Sequence, residues 1–243
     1  MKLKVINTGS IGNCYLFEAN DTTLIVECGV RFEDVKKTLN HNFDKVIGAI
    51  LTHEHGDHSK AVKDFVKRGI DVYCSPGTIE AINIQHHRLK PLQKKAIKNI
   101  GSFQVIGFDV KHDCKEPFGY LIKHREMGTV LFLTDTYYVE NTFKGLNHII
   151  IEANYSDEII EQKSFYGTIN PFVRDRVYKS HMSLETCIKT LKSNDLSSVK
   201  TITLIHLSDS NSDARFFKKR VEQETGIPTY VAEKGMEIIL DIF

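Results

Sequence analysis

The sequence predicts an α/β fold, an αββα sandwich of two β-sheets packed face to face with helices outside. Three observations predict it. Short apolar stretches rich in β-branched residues alternate with helical stretches in both halves of the chain. Residues 102–133 read as strand almost throughout. No Pro/Gly/Ser-rich linker interrupts the 243 residues and the five prolines are scattered, so a single domain over 1–243 is expected.

Strands are expected at 3–6, 14–18 and 23–27, separated by turns at Gly9–Asn13 and Ala19–Asp21. A short helix over 33–39 precedes a buried strand, Lys45–Leu51, which runs straight into a histidine-rich segment. Residues 59–67 place Ala61, Val62, Phe65 and Val66 on one side of a helix. Asp71–Cys74 reads as a strand, and Pro76 starts a helix to about 84. Strands follow at Phe103–Ile106, Phe108–His112, Phe118–Lys123, Thr129–Leu133 and Asn147–Glu152. Segment 153–182, with Tyr155, Phe165, Tyr166, Phe172 and Tyr178, reads as an irregular excursion around one short helix near 157–163. Ser183 caps a helix to about 192, Thr201–Ile205 is a strand, and Ser212 or Asp213 caps a helix to about 224. Thr229–Val231 and Met236–Leu240 close the chain as strands.

Composition is that of an ordinary globular chain, 41% hydrophobic and 26% charged. The 32 basic and 31 acidic residues leave a net charge of +1, which weighs against a dedicated nucleic-acid binder with one basic face. Five cysteines, none in a C-x-x-C pair, predict free thiols and a reducing, cytoplasmic setting. The N-terminus turns polar within a few residues and no stretch of about 18 apolar residues occurs, so neither a secretory leader nor a membrane span is expected.

The chemistry concentrates in Thr-His-Glu-His-Gly-Asp-His at 52–58. After the strand ends, His53, His55, Asp57 and His58 present three imidazoles and a carboxylate within six residues, a donor set for zinc, iron or manganese. That span is too short for all four to serve one ion in ideal geometry, so two ions sharing the loop is the natural solution, and Gly56 eases the turn between the pairs. The bland alternative is a solvated polar loop that caps a helix. A second constellation is Glu152, which ends an apolar strand, and His181, just before a helix. A carboxylate there needs a partner. A hydrogen bond from His181 would orient the imidazole, raise its pKa and let it protonate a leaving oxygen. A purely structural role for both remains the alternative.

H-x-H-x-D-H after an apolar strand resembles the hallmark of the metallo-β-lactamase superfamily, and the resemblance runs along nearly the whole chain. It implies that His53, His55 and a later histidine hold one metal, that Asp57, His58 and a last histidine hold the second, and that an aspartate bridges them. His112 looks like the later histidine, Asp135 in Leu-Thr-Asp-Thr the bridge, and His206 in Ile-His-Leu-Ser the last histidine. Zinc is the first choice for both ions and manganese the second. A pair of such ions generates a nucleophile from water near neutral pH and clamps the oxygens of an in-line displacement, with Asp57 and Asp135 holding the assembly. Glu152 and His181 resemble the Glu–His pair of RNA-processing phosphodiesterases in the superfamily. Where the family often has aspartate, this chain has Glu27 before Cys28, which puts the support of the metal loop in question.

Gly-Asn-Cys-Tyr-Leu-Phe, Leu-Thr-Asp-Thr, Glu-Ala-Asn, Ser-His-Met-Ser and Ile-His-Leu-Ser resemble the branch holding YycJ-type (WalJ-like) DNA exonucleases and phage anti-Pycsar cyclic-nucleotide phosphodiesterases. The compact length and the endings resemble the second group more closely, and the neutral charge agrees; the resemblance therefore implies hydrolysis of a small cyclic mononucleotide first, a means of countering host antiviral signalling, and a nuclease acting on DNA or RNA second. A nucleotide sensor with a metal site, and thioester or β-lactam hydrolysis, are the readings from other classes. The resemblance implies a homodimer, and segment 153–182 is a subunit contact, a lid or plain core. His86-His87-Arg88 and the Gly9–Asn13 loop are weak phosphate candidates, more simply a solvated surface and a turn.

Overall fold

The computed structural model describes residues 1–242, which divide into two units. Unit 1 comprises residues 1–109, 114–129 and the stretch from 233 on; unit 2 comprises 110–113 and 130–232.

Unit 1 opens with β1 (Lys2–Asn7), β2 (Cys14–Glu18) and β3 (Thr23–Val26), an antiparallel meander that sets Leu3 opposite Phe17 and Leu16 opposite Ile25. After α1 (Phe32–Thr38), β4 (Val46–Ile50) joins β3 in parallel. The helix expected over 59–67 is two helices, α2 (Gly56–Ser59) and α3 (Val62–Arg68). The break falls at Ala61, whose N–H donates to Cys28 O at 2.8 Å instead of continuing the first helix. Then come β5 (Val72–Cys74), α4 (Pro76–Ile82) and β6 (Leu89–Pro91), with β5 parallel to β4 and β6 parallel to β5. Val35, Phe65, Val66, Leu16, Ala49 and their neighbours form one buried cluster between these helices and the sheet. Full burial of a side chain such as Phe65 contributes about 1.5–3 kcal/mol.

β7 (Ile97–Ile100), β8 (Phe103–Asp109) and β9 (Phe118–His124) form an antiparallel ribbon. It packs on the first sheet, where the Tyr120 hydroxyl donates to Leu51 O at 2.5 Å. Strands β6 and β7 were not expected. Two strands expected around Gly107 are the single β8: a Cβ at Gly107 would lie 2.5 Å from the Phe118 ring, so glycine marks close packing and not a break. His112 therefore lies in the loop beyond β8, not at a strand end as expected.

Unit 2 is a parallel sheet of β10 (Gly128–Leu133), β11 (His148–Glu152), β12 (Thr201–Ile205) and β13 (Thr229–Val231), with Leu133 opposite Ile151 and Glu152 opposite Ile205. Parallel neighbours need crossovers. Between β11 and β12 run α5 (Asp157–Phe165), α6 (Pro171–Ser180) and α7 (Leu184–Ser193); between β12 and β13 runs α8 (Ala214–Thr225). Ser183 caps α7 by accepting from Thr186 N–H, and of the two cap candidates for α8 it is Asp213 that accepts from Phe216 N–H. The excursion over 153–182 holds two helices where one was expected. α6 has Pro171 in its first turn and an Asn170 cap, but its only buried residue is Ser180, so no apolar stripe announced it. Phe165, Tyr166 and Phe172 are 84%, 74% and 86% exposed, which excludes the plain-core alternative for them. The chain closes with β14 (Glu237–Ile239), which returns to unit 1 beside β1. None of the five cysteines is in a disulfide, and among the described residues no helix is long and apolar enough to cross a membrane.

Candidate metal centre and acid–carboxylate pair

In unit 1 the 53–58 segment leaves β4 and enters α2 with His55 at the helix N-cap. The rings of His53 and His55 lie 4.8 Å apart, and those of His53 and His58 lie 4.2 Å apart. His53 Nδ1 sits 2.9 Å from Thr52 Oγ1. His58 Nδ1 faces Glu27 Oε2 at 3.4 Å, and both side chains are fully buried. Its Nε2 sits 3.5 Å from Asp57 Oδ2 and 3.1 Å from Asn13 Nδ2. Glu27, whose supporting place the sequence left in question, thus faces His58 from the left-handed region at φ 70°.

In unit 2 the site residues leave the ends of three adjacent parallel strands. Asp135 follows β10, Glu152 ends β11 and His206 follows β12. His112 and His181 join them from loops: His112 Nδ1–H donates to Ser180 O at 2.8 Å, and His181 is the C-cap of α6. His112 Nε2 lies 3.7 Å from one Asp135 oxygen and His206 Nε2 lies 3.5 Å from the other. His206 Nδ1 faces Glu152 at 3.4 Å, and the Asn154 side chain donates to His206 O at 2.8 Å. Asp135 and His206 both hold left-handed backbone, at φ 43° and 55°; strain of this kind collects at functional sites.

Glu152 is fully buried and accepts from His181 Nδ1–H at 2.7 Å, from Thr136 N–H at 3.0 Å and from Met182 N–H at 3.2 Å. Burial alone would raise its pKa, but the His181 charge and the hydrogen bonds from His181 and His206 hold it below the usual carboxylate range. For His181 burial acts to lower the pKa, and the charge and hydrogen bond of Glu152 overcome it and raise the pKa. His112, by contrast, is lowered chiefly by burial. The His181 ring keeps 13% exposure, so it remains accessible while its partner is sealed in.

The donor sets fit divalent metal. His53, His112 and His206 are held through Nδ1 by a hydroxyl, a carbonyl and a carboxylate, and His58 turns Nδ1 toward the buried Glu27 carboxylate at 3.4 Å, longer than a hydrogen bond, so each ring directs Nε2 the other way. The Nε2–carboxylate spacings of 3.5–3.7 Å in both units exceed a hydrogen bond. They approach the roughly 3.3 Å edge of a tetrahedron built from metal bonds of about 2.0–2.1 Å.

Other candidates fall elsewhere. The Arg88 guanidinium is taken by Asp71 at 2.7 Å, and His86 stacks on His87. Asn13, Asn154 and Thr136 support the site but were not singled out from the sequence. Their signal is a hydrogen bond to the backbone, ring or carboxylate of a distant residue, which no spacing reveals.

Comparison with known proteins accords with this geometry. Exodeoxyribonuclease YycJ of Bacillus anthracis is 26% identical over 236 residues, spanning 92% of this chain and 88% of that protein. Exodeoxyribonuclease WalJ of Streptococcus pneumoniae is 27% identical over 230 residues, spanning 87% and 83%. The crystal structure of the metallo-β-lactamase fold protein YhfI from Bacillus subtilis superposes with a TM-score of 0.76 over 98% of this chain and 99% of that one, at 18% identity. The chain therefore has the metallo-β-lactamase fold, two mixed sheets with helices. The family model described as "Beta-lactamase superfamily domain" matches residues 22–207, a span that holds every metal and catalytic candidate named above, and the protein belongs to that superfamily.

Proposed function

We propose that this chain is a metal-dependent phosphodiesterase whose substrate is nucleic acid, DNA first. The observation that carries the metal reading is the shared orientation of four imidazoles, three of them (His53, His112 and His206) anchored at Nδ1 and the fourth, His58, with Nδ1 turned toward the Glu27 carboxylate. His53, His55 and His112 are proposed for one ion, Asp57, His58 and His206 for the other, and Asp135 for the bridge, with zinc preferred. When bound, such ions make water nucleophilic near neutral pH and neutralise charge on the phosphoryl oxygens. Asp57 and Asp135 fix the ligand set. Glu152 holds His181 in one tautomer, with the proton of Nδ1 in the carboxylate hydrogen bond and Nε2 available to protonate the departing ribose oxygen.

The sequence reading put a cyclic mononucleotide first. The relatives that align over most of the chain are exodeoxyribonucleases, which moves nucleic acid ahead. The near-balanced charge, 32 basic against 31 acidic residues, keeps the cyclic mononucleotide as the second reading. A substrate panel decides. Metal-loaded protein is incubated with single- and double-stranded DNA, RNA, 3′,5′-cyclic mononucleotides and bis(p-nitrophenyl) phosphate. Cleavage of DNA with intact cyclic nucleotides is the expected result; the reverse pattern defeats the proposal.

A further inference from the structure

Building on the nucleic-acid reading, we propose that unit 1 carries a second anion pocket, beside the metal-ligand loop, that holds a neighbouring phosphate of a nucleic-acid strand through Lys60 and Lys234. The pocket is a cavity of about 280 Å³ whose wall includes Ile11, Val30, Arg31, Asp34, Lys60 and Lys234. Its charge is unevenly spent. Arg31 is committed to Asp34 by two hydrogen bonds, 3.0 and 2.9 Å, which cancel each other's charge. Lys60 and Lys234 are exposed and form no ion pair within 4 Å among the described residues, and although the Lys234 charge also reaches Asp34, the wall's three cations outnumber its one carboxylate.

The wall is laced to the loop that carries the metal candidates. Asn13 N–H donates to Asp57 O at 2.7 Å, Gly29 N–H to Asn13 O at 2.9 Å, and Cys28 N–H to His58 O at 2.8 Å. The packing leaves no slack: a Cβ at Gly29 would lie 1.6 Å from Asp57 O, and one at Gly12 would lie 2.4 Å from Gly29 O. Lys60 itself is two residues past His58. The Gly9–Asn13 loop is thus more than a turn. It fixes the pocket at a set separation from the metal ligands, and its tip, Ile11, is 77% exposed as an apolar edge for a sugar or base.

A cyclic mononucleotide has one phosphate, which the metal ligands would take. A second phosphate at a fixed spacing is absent from a cyclic mononucleotide and recurs along a strand, so the pocket favours the strand.

The test is fluorescence anisotropy of a labelled single-stranded DNA with hydrolysis-resistant phosphorothioate linkages, titrated with metal-loaded full-length protein. The double variant Lys60→Gln/Lys234→Gln is expected to bind about fivefold more weakly and to lose about 0.7 from the slope of log K against log salt, the equivalent of one phosphate contact. Lys60→Arg/Lys234→Arg is expected to bind like the parent. Lys218→Gln/Lys219→Gln on α8 controls for bulk charge. Unchanged affinity and slope in the pocket variant, an equal loss in the α8 control, or no DNA binding by the parent each overturns the pocket. Cleavage of unmodified DNA by the parent is scored separately. Loss of cleavage with a lysine-dependent affinity sinks the nuclease reading and leaves the pocket, whereas cleavage with no lysine dependence does the opposite.

Discussion

In unit 1 the four ligand-type side chains lie within six consecutive residues, whereas in unit 2 five site residues come from five separate segments, at 112, 135, 152, 181 and 206. The first set is encoded by a local motif and needs only a loop after β4 and a nearby carboxylate, Glu27. The second depends on parallel register. Asp135, Glu152 and His206 meet because β10, β11 and β12 are neighbours aligned so that their C-terminal ends coincide. A slip of one residue would turn Glu152 to the opposite face of the sheet. Left-handed backbone occurs in both, at Glu27 beside the first set and at Asp135 and His206 within the second. The contiguous motif is therefore sensitive to its close contacts at Gly29, and the register-built set is vulnerable at the strand ends.

The largest expected effect comes from the residue where that vulnerability peaks. Asp135→Ala should strip metal and lower kcat/KM by at least about 10³-fold, the size of several kcal/mol of lost charge stabilisation. Metal content by atomic emission and turnover of bis(p-nitrophenyl) phosphate check it. A variant that keeps its full metal load would show that unit 1 binds metal without help from Asp135. Next in size, His181→Ala should reduce turnover about 10²-fold, as loss of a general acid does, with metal content unchanged. Metal loss in that variant would turn His181 from acid into ligand.

The same contrast explains what the sequence disclosed. His53, His55, Asp57 and His58 were legible because their spacing is itself the signal, and Asp135, Glu152 and His206 because each follows a recognisable apolar strand. The fold class was legible from the alternation of strand and helix stretches, whereas the order of strands within each sheet was not. His112 was expected at a strand end and lies instead in a loop. β8 stops at Asp109, and the loop is held by Lys111 bonding to Thr136 and by His112 bonding to Ser180, contacts far away in sequence. Helix α6 was missed because it buries almost nothing, and β6 and β7 because they are short and polar at several positions. What escaped is whatever depends on a partner distant in the chain.

A smaller effect compares the two supports. Glu27 backs His58 and Asn154 backs His206. Glu27→Gln should weaken metal affinity about 10–100-fold while kcat at saturating metal stays near that of the parent. Asn154→Ala should cost less, since Glu152 still faces His206 Nδ1. Competition with a chromogenic chelator measures both. Equal affinities in Glu27→Gln and the parent would show that the buried glutamate supports the fold and not the metal loop.

The smallest expected effect concerns the thiols that line each half. Burial raises the pKa of Cys14, Cys28 and Cys74 in unit 1, with Glu27 adding to the shift, and brings Cys74 to about 12. In unit 2 burial does the same to Cys187, with Glu152 adding to it. A raised thiol pKa means that the reactive thiolate is scarce until the pH approaches that value, so these four should be inert at about pH 8. Cys114, which is partly exposed, should alone react with a chromogenic disulfide in the folded protein, and all five should react in denaturant. Peptide mapping of the labelled protein then reads the comparison directly. Native labelling at Cys28 would report opening beneath the local motif, and at Cys187 opening beneath the register-built set. If strand register is the weaker foundation, Cys187 should be the first buried thiol to label as denaturant is raised toward the unfolding midpoint. Earlier labelling at Cys28 would reverse the ranking of the two halves.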